Sequence, residues 1–284
     1  MATAKALWLR IMAKLDHGPN GAVEQWNWRA RIDGLGQLAQ SAKRRQNLPF
    51  SDTDVFEAML KAILSNSTDW SRVERFLGDL PELFSDYSLS EFAKRDEDYV
   101  DNVLIPRFKL EKAGSMTLRK DLRRLLLTAN KLSEWAETNG TADSFFDAAI
   151  AAADGDLIGA TALLGTPRSD FKIDGMGIPL AAEAMKNLGY EVAKPDRHIC
   201  RALACWGLVS FRDEKWKIAG ATQAPEPNHR ELIETMRVMQ ELASAVSIQP
   251  SFLDQAVWLL CAKSGCYATN AELTRMGSKN DTKN

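Results

Sequence analysis

Apolar residues recur at helical spacing along most of this chain of 284 residues. Four stripes, within residues 56–64, 118–135, 232–243 and 252–260, place apolar side chains three and four positions apart. Runs that alternate between apolar and polar residues are absent, as are Asn-Gly turns between β-branched segments. The pattern therefore predicts an all-α protein with about ten or more short to medium helices.

Local signals mark where several of these helices begin and end. The Ser51-Asp52-Thr53 segment is typical of a helix N-terminus, because short polar side chains accept hydrogen bonds from free backbone N–H groups. Pro250 suits the first turn of the last stripe, and Asn139-Gly140 predicts a stop after the second. The polar residues from 277 onward are expected to fray.

Composition and charge limit the classes of function. The chain has a net charge of −2 and 26% charged residues, so any nucleic-acid-binding surface must be local. Residues 107–124 hold seven basic side chains against two acidic ones, and Lys43-Arg44-Arg45 adds a second cluster. Such runs are ordinarily solvated helix faces, but they are also candidates for phosphate contacts.

Targeting and metal signals are weak. No apolar run approaches the length of a membrane span, and the N-terminal segment predicts a plain helix rather than a signal peptide. We therefore expect a cytoplasmic protein that does not contact membranes. The four cysteines are expected to be reduced, buried thiols, and no metal site is predicted.

The segment 171–201 carries the clearest functional pattern. Gly175-Met176-Gly177 forms a Gly-x-Gly turn that leads into a helix predicted over residues 179–188. A weaker helix is predicted before it over residues 157–164, with a break at 165–167 and a further helical segment over 168–173. Such a turn is ordinarily only a connection between helices, but it also presents backbone N–H groups that suit an anion.

Asp196 follows Gly177 by 19 positions and stands directly before another predicted helix. Taken alone, Asp196 is an N-cap, a role that is compatible with a catalytic carboxylate because a helix N-terminus stabilises negative charge. His198 is interpreted either as a packed side chain or as one that orients a neighbour.

Three segments in this order resemble the helix–hairpin–helix DNA glycosylase superfamily. Residues 173–177 match its Leu-Pro-Gly-x-Gly hairpin, and residues 195–201 match its Val-Asp-x-His-x-x-Arg segment. Residues 56–68 match an early helix that ends in Ile-Leu-Ser-Gln-x-Thr. The resemblance covers roughly residues 50–265 and leaves the first fifty residues unexplained.

The resemblance implies a two-domain helical DNA glycosylase fold with the target base held at a cleft. We expect an N-terminal extension over residues 1–50, a helical barrel over 51–165, and a second domain over 166–284 that includes the N-terminal part. Residues Gly175, Met176 and Gly177 would hold a DNA phosphate, which positions the protein without reading sequence. In the family a monovalent cation bound by hairpin carbonyls often assists.

The resemblance also implies roles at the damaged base. Asn66 matches the residue that fills the gap left by the flipped base, although alone it is interpreted equally well as a helix C-cap. Trp70 is a candidate for base stacking, or a core residue. Asp196 would be the catalytic carboxylate that stabilises the oxocarbenium-like sugar and activates water, with His198 in support.

Departures from the family pattern narrow the expected activity. Family members that cut the backbone carry a lysine where this chain has Pro179, so a Schiff base from that position is excluded. Only two cysteines lie near the C-terminus, so no iron–sulfur cluster is expected. Asp174 replaces the hairpin proline and places a negative charge beside the predicted phosphate site.

We therefore expect a monofunctional glycosylase of base excision repair that needs no cofactor. Its partner would be double-stranded DNA containing a modified or mismatched base, together with other repair proteins. An alkylated base is the favoured substrate, with uracil, a thymine mismatch and a modified cytosine left open. A non-catalytic helix–hairpin–helix DNA-binding module is the alternative, and a lyase or nuclease is disfavoured.

Overall fold

A computed structural model describes residues 3–19, 26–66, 70–218 and 226–278. These residues form helices, turns and loops, and no strand occurs among them. The predicted all-α class is therefore confirmed. Residues 67 and 68, which end the early motif of the resemblance, lie outside the described residues.

Helices occur along the chain both before and after residue 111. Before residue 111 they are α1 (Ala4–His17), α2 (Trp28–Gly34), α3 (Gln37–Arg45), α4 (Asp52–Leu64), α5 (Trp70–Glu74), α6 (Leu80–Leu83), α7 (Leu89–Ala93), α8 (Glu97–Tyr99) and α9 (Ile105–Leu110). After it they are α10 (Leu118–Asn139), α11 (Asp143–Ala152), α12 (Leu157–Gly165), α13 (Ile178–Asn187), α14 (Arg197–Trp206), α15 (Lys215–Ile218), α16 (His229–Ala245), α17 (Pro250–Cys261) and α18 (Asn270–Gly277). Short 3-10 turns cover Leu77–Asp79 and Ser85–Tyr87, and a π-helical turn covers Val100–Leu104.

The local start and stop signals act where the sequence places them. Ser51 caps α4 in a capping box with Asp54, which satisfies backbone N–H groups that the first turn leaves free. Gly140, with φ of 95°, ends α10, because glycine adopts this backbone conformation without a side-chain clash. The segment 168–173, predicted as helical, instead forms turns, and Arg168 has a positive φ of 70°.

The chain forms two compact units. The terminal unit consists of residues 1–39 and 191–284, and the central unit of residues 40–190. In the terminal unit, α17 packs against α1, α2, α14 and α16, and most of its side chains are buried. In the central unit, α4 packs against α7, α10 and α13. Three phenylalanine rings of this unit lie in contact, with centroids 4.8 Å apart for Phe56 and Phe92 and 5.4 Å for Phe84 and Phe92.

The unit boundaries differ from those predicted. Residues 166–190, which include the Gly-x-Gly turn and α13, belong to the central unit because α13 packs against α4 and α12. The N-terminal boundary lies at residue 39 rather than 50. The end of α3 belongs to the central unit, where Arg44 pairs with Asp143 at 2.7 Å.

Among the described helices, none is by itself long and apolar enough to cross a bilayer. Helices α11 and α12 reach the required length and composition only as a pair, and that pair is bent by 111°.

Candidate functional site

The Gly-x-Gly turn lies in a loop that joins the closely packed helices α12 and α13. Gly165 ends α12 against the first residue of α13, and a Cβ atom at Gly165 would lie 2.6 Å from the backbone nitrogen of Ile178. Within the loop, Ile173 N–H donates to the Leu164 carbonyl at 3.0 Å. Gly175 has a φ of 81°, in the left-handed region that favours glycine. The loop therefore has a defined shape that depends on both glycines.

Lysine ammonium groups hold the carbonyls of this loop. Lys172 Nζ donates to the Gly165 carbonyl at 2.9 Å and also to the Met176 carbonyl. Lys131 Nζ donates to the carbonyls of Asp170 at 2.8 Å and Lys172 at 3.1 Å. Burial lowers the pKa of both lysines, while nearby Asp174 acts in the opposite direction. These carbonyls therefore already accept hydrogen bonds from two ammonium groups of the protein.

The backbone N–H groups of the turn are unequal. In the described part of the chain, the N–H groups of Gly175 and Gly177 donate to no protein acceptor. Met176 N–H instead donates to the Ile173 carbonyl at 3.2 Å, and the Met176 side chain is only 1% exposed. Of the three residues predicted to contact phosphate, the two glycines have N–H groups available to a ligand, whereas the Met176 side chain is packed in the core.

Asn66 lies just after α4 and is bound to the first turn of α10. Its Nδ2 donates to Asp121 Oδ2 at 3.1 Å and lies 3.4 Å from Thr117 Oγ1, which itself donates to Asp121 at 2.7 Å. The Asn66 amide therefore has protein partners that it must exchange before it can fill a base gap. Trp70 is partly exposed at the start of α5.

Acidic side chains neutralise part of the predicted basic surface. Arg123 binds Asp101 at 2.6 Å and Glu97 at 2.9 Å, and Arg119 lies 3.4 Å from Asp101. Arg107 pairs with Asp79 and Glu111. The excess of basic residues along 107–124 therefore overstates the free positive charge, because these acids lie mostly outside that segment.

Asp196 belongs to the terminal unit, where it caps α14. Its Oδ1 accepts hydrogen bonds from the backbone N–H groups of His198 at 2.8 Å and Ile199 at 3.1 Å. Its Oδ2 accepts no hydrogen bond from any described residue, and the side chain is partly exposed. One oxygen thus fixes the carboxylate at the positive end of a helix, which stabilises its charge, and the other oxygen remains available.

The other two residues of the Asp-x-His-x-x-Arg pattern face inward. Burial lowers the pKa of His198, so its imidazole is neutral at pH 7, and its buried Nδ1 has no hydrogen-bond partner among the described residues. Arg201 is 8% exposed, and its guanidinium donates to the carbonyls of Cys261 at 3.1 Å and Ala268 at 3.0 Å and to Asn270 Oδ1 at 3.0 Å. Arg201 therefore joins the end of α17 to the start of α18.

The four cysteines are buried and form no disulfide with one another. Burial raises the pKa of the Cys261 thiol to about 12 and also raises that of Cys200, which keeps both protonated at neutral pH. Across the described ranges, no group of three or more His, Cys, Asp or Glu side chains is arranged to hold a metal ion.

The sequence motifs did not reveal the two lysines that bind the loop between α12 and α13. Lys172 lies four residues before Met176, and this spacing does not predict a contact unless the loop is known to turn back on itself. Lys131 acts from 41 residues away, on α10, so only the folded chain brings it to the loop.

No protein-family model, curated protein or solved structure matches this chain. The likeness to helix–hairpin–helix glycosylases therefore rests on the three motifs alone.

Proposed function

We propose that this protein is a monofunctional DNA glycosylase that hydrolyses the N-glycosidic bond of a flipped, modified or mismatched base. The observation that carries the proposal is the Asp196 carboxylate, which α14 holds by one oxygen while the other stays available. The free N–H groups of Gly175 and Gly177 support it, since they suit a DNA phosphate.

The chemistry follows from the charge that develops on the sugar. As the C1′–N bond breaks, its electron pair leaves with the base and the sugar gains oxocarbenium character. An ionised Asp196 would stabilise that positive charge. Water would then add to C1′ and lose a proton to the carboxylate, while the released base takes a proton from solvent.

Pro179 supports hydrolysis without strand cleavage. It is the second residue of α13, directly after the turn, and it carries no amine for a Schiff base with the sugar. Lys172 is the nearest lysine in the loop, but its amine is bound to two carbonyls. We accordingly propose base release without lyase activity, in a cytoplasmic protein that acts in base excision repair with other repair proteins.

The alternative is a DNA-binding module without chemistry. This alternative is supported by the two hydrogen bonds that Asp196 accepts, because a helix N-cap without any catalytic role accounts for both of them. In that case Asn66 would remain bound to Asp121 when DNA is present.

Base release separates the two functions. Wild type and Asp196→Asn are incubated with duplexes carrying alkylated, deaminated, oxidised or mismatched bases, and free base and alkali-labile sites are measured. We expect release by wild type, loss in Asp196→Asn, and no strand cleavage without alkali. Asp156→Asn, a change at the N-cap of α12, is the matched control and should retain activity. Duplex binding without base release from any substrate would instead support the binding module.

A further inference from the structure

Helix α10 presents a cationic cleft on the same unit as the hairpin. The cleft has a volume of about 260 Å³ and is lined by Glu97, Arg119, Lys120, Arg123, Arg124 and Leu127. Leu127 is 58% exposed, so this face of α10 is open at that point. Four cations, Glu97 and the adjacent Asp101 leave a net positive charge, which suits an anionic ligand.

The four cations differ in how far they are neutralised. Arg119 and Arg123 share Asp101, and Arg123 also binds Glu97. Lys120 and Arg124 form no ion pair with any described acid. They lie four residues apart on α10, which places them one turn apart on the same face, about 6 Å along the axis. Among the cations that line the cleft, Lys120 and Arg124 therefore carry the unneutralised positive charge.

Arg124 connects the cleft to the Gly-x-Gly turn. A Cβ atom added to Gly175 would lie 3.0 Å from Arg124 Cβ and 3.4 Å from its Cδ. The aliphatic part of Arg124 thus packs on the glycine whose N–H group is available. Arg124 is also close enough to lower the pKa of Lys172 within the loop. The turn and the free pair on α10 therefore form one continuous surface.

We propose that Lys120 and Arg124 extend the phosphate-binding surface of the hairpin, so that α10 lies along the backbone of bound DNA. Arg119 and Arg123 do not contribute, because Asp101 and Glu97 neutralise their charges. The identity of the anion as DNA rests on the proposed function, but the surface does not depend on base-release chemistry.

The salt dependence of duplex binding tests the proposal. Affinity for an unmodified duplex is measured from 50 to 300 mM KCl (about the range in which counterion release dominates) for wild type, Lys120→Gln, Arg124→Gln and the double variant. Each phosphate contact contributes about 0.9 to the slope of log affinity against log salt. We expect each single variant to lower the slope by about 1 and to weaken binding about eightfold at 0.1 M salt, with about twice the slope change in the double variant.

Arg119→Gln is the matched control, since it removes the same charge from the same helix. We expect it to change the slope by less than half as much as Lys120→Gln. The proposal is overturned if Lys120→Gln and Arg124→Gln leave the slope unchanged, if Arg119→Gln lowers it equally, or if wild type does not bind the duplex. Thermal unfolding of each variant confirms that the fold is intact.

The two proposals fail in different ways. Base release by wild type together with unchanged slopes would leave the glycosylase in place and reject the α10 surface. Lowered slopes without base release from any substrate would support the surface and reject the glycosylase.

Discussion

Replacing Asp196 distinguishes its role as a helix cap from its proposed role as a catalyst, because two substitutions affect these roles differently. Asp196→Asn keeps a side-chain oxygen where Oδ1 accepts from His198 N–H at 2.8 Å and from Ile199 N–H at 3.1 Å. It removes only the negative charge. Asp196→Ala removes both hydrogen bonds and leaves two N–H groups of α14 without an acceptor.

The expected stability losses follow from these contacts. Loss of an N-cap by alanine substitution costs about 0.5–2 kcal/mol, and the upper half of that range applies because Asp196 accepts two hydrogen bonds and is partly buried. Asparagine caps about as well as aspartate, so Asp196→Asn loses only the charge–dipole interaction of about 0.3–1 kcal/mol. At about 2–4 °C per kcal/mol, Asp196→Ala should lower the Tm by about 2–8 °C and Asp196→Asn by about 1–4 °C.

Calorimetric unfolding at pH 7 measures both changes, and base release measures activity in the same preparations. We expect Asp196→Asn to abolish activity while it remains more stable than Asp196→Ala. The matched pair Asp156→Asn and Asp156→Ala should show the same order of stability at the α12 cap with activity retained. Equal Tm values for Asp196→Asn and Asp196→Ala would refute the capping argument, and full activity in Asp196→Asn would refute the catalytic one.

Three further predictions concern the parts that hold the site. Gly165→Ala should destabilise the protein by about 1–3 kcal/mol in denaturant unfolding, because its Cβ would lie 2.6 Å from the Ile178 backbone. Arg201→Met should cost about 2–5 kcal/mol, because it leaves two main-chain carbonyls without their donor. His198 has a pKa below its unfolded value, so the unfolded chain binds more protons there. Stability should therefore fall as pH drops through 6.5, the ordinary value, and His198→Gln should reduce that fall when Tm is compared at about pH 7.5 and about pH 5.5.

Each of these changes has a control. Gly34→Ala has nothing within 4 Å of its Cβ and should be close to neutral or stabilising. Arg230→Met replaces an exposed arginine and should change stability by less than about 0.5 kcal/mol. His229→Gln removes an exposed histidine and is compared with His198→Gln at the same two pH values. A control variant that changes stability as much as its test variant would contradict the argument for that pair. The argument concerns packing for the glycines, hydrogen bonding for the arginines and burial for the histidines.

Much of the fold was predictable because its signals are local. Helical periodicity indicated α4, α10, α16 and α17, and caps such as Ser51 lie within the same few residues as the N–H groups that they satisfy. The prediction of a helix over residues 168–173 was wrong, and there the relevant contact is distant in sequence. That segment is shaped by the Lys131 ammonium group, which binds the Asp170 and Lys172 carbonyls from α10.

The candidate site was only partly predictable for the same reason. The sequence placed Asp196 at a helix N-terminus, but it did not show that one carboxylate oxygen stays available. Met176 matches a hairpin pattern, but it is buried in the central unit. The sum of charges along residues 107–124 also overestimated the unpaired positive charge. Asp101 and Glu97, which lie before that segment, neutralise two of its arginines.

The sequence by itself determined the helical class, the ends of several helices, the Gly-x-Gly turn and the absence of a lysine at Pro179. These depend on backbone preferences and on contacts between near neighbours, which the order of residues encodes directly. Tertiary structure decided which N–H groups, carboxylate oxygens and cations remain free for a ligand. That outcome depends on partners that are distant in sequence, and only packing of the helices brings those partners within hydrogen-bonding distance.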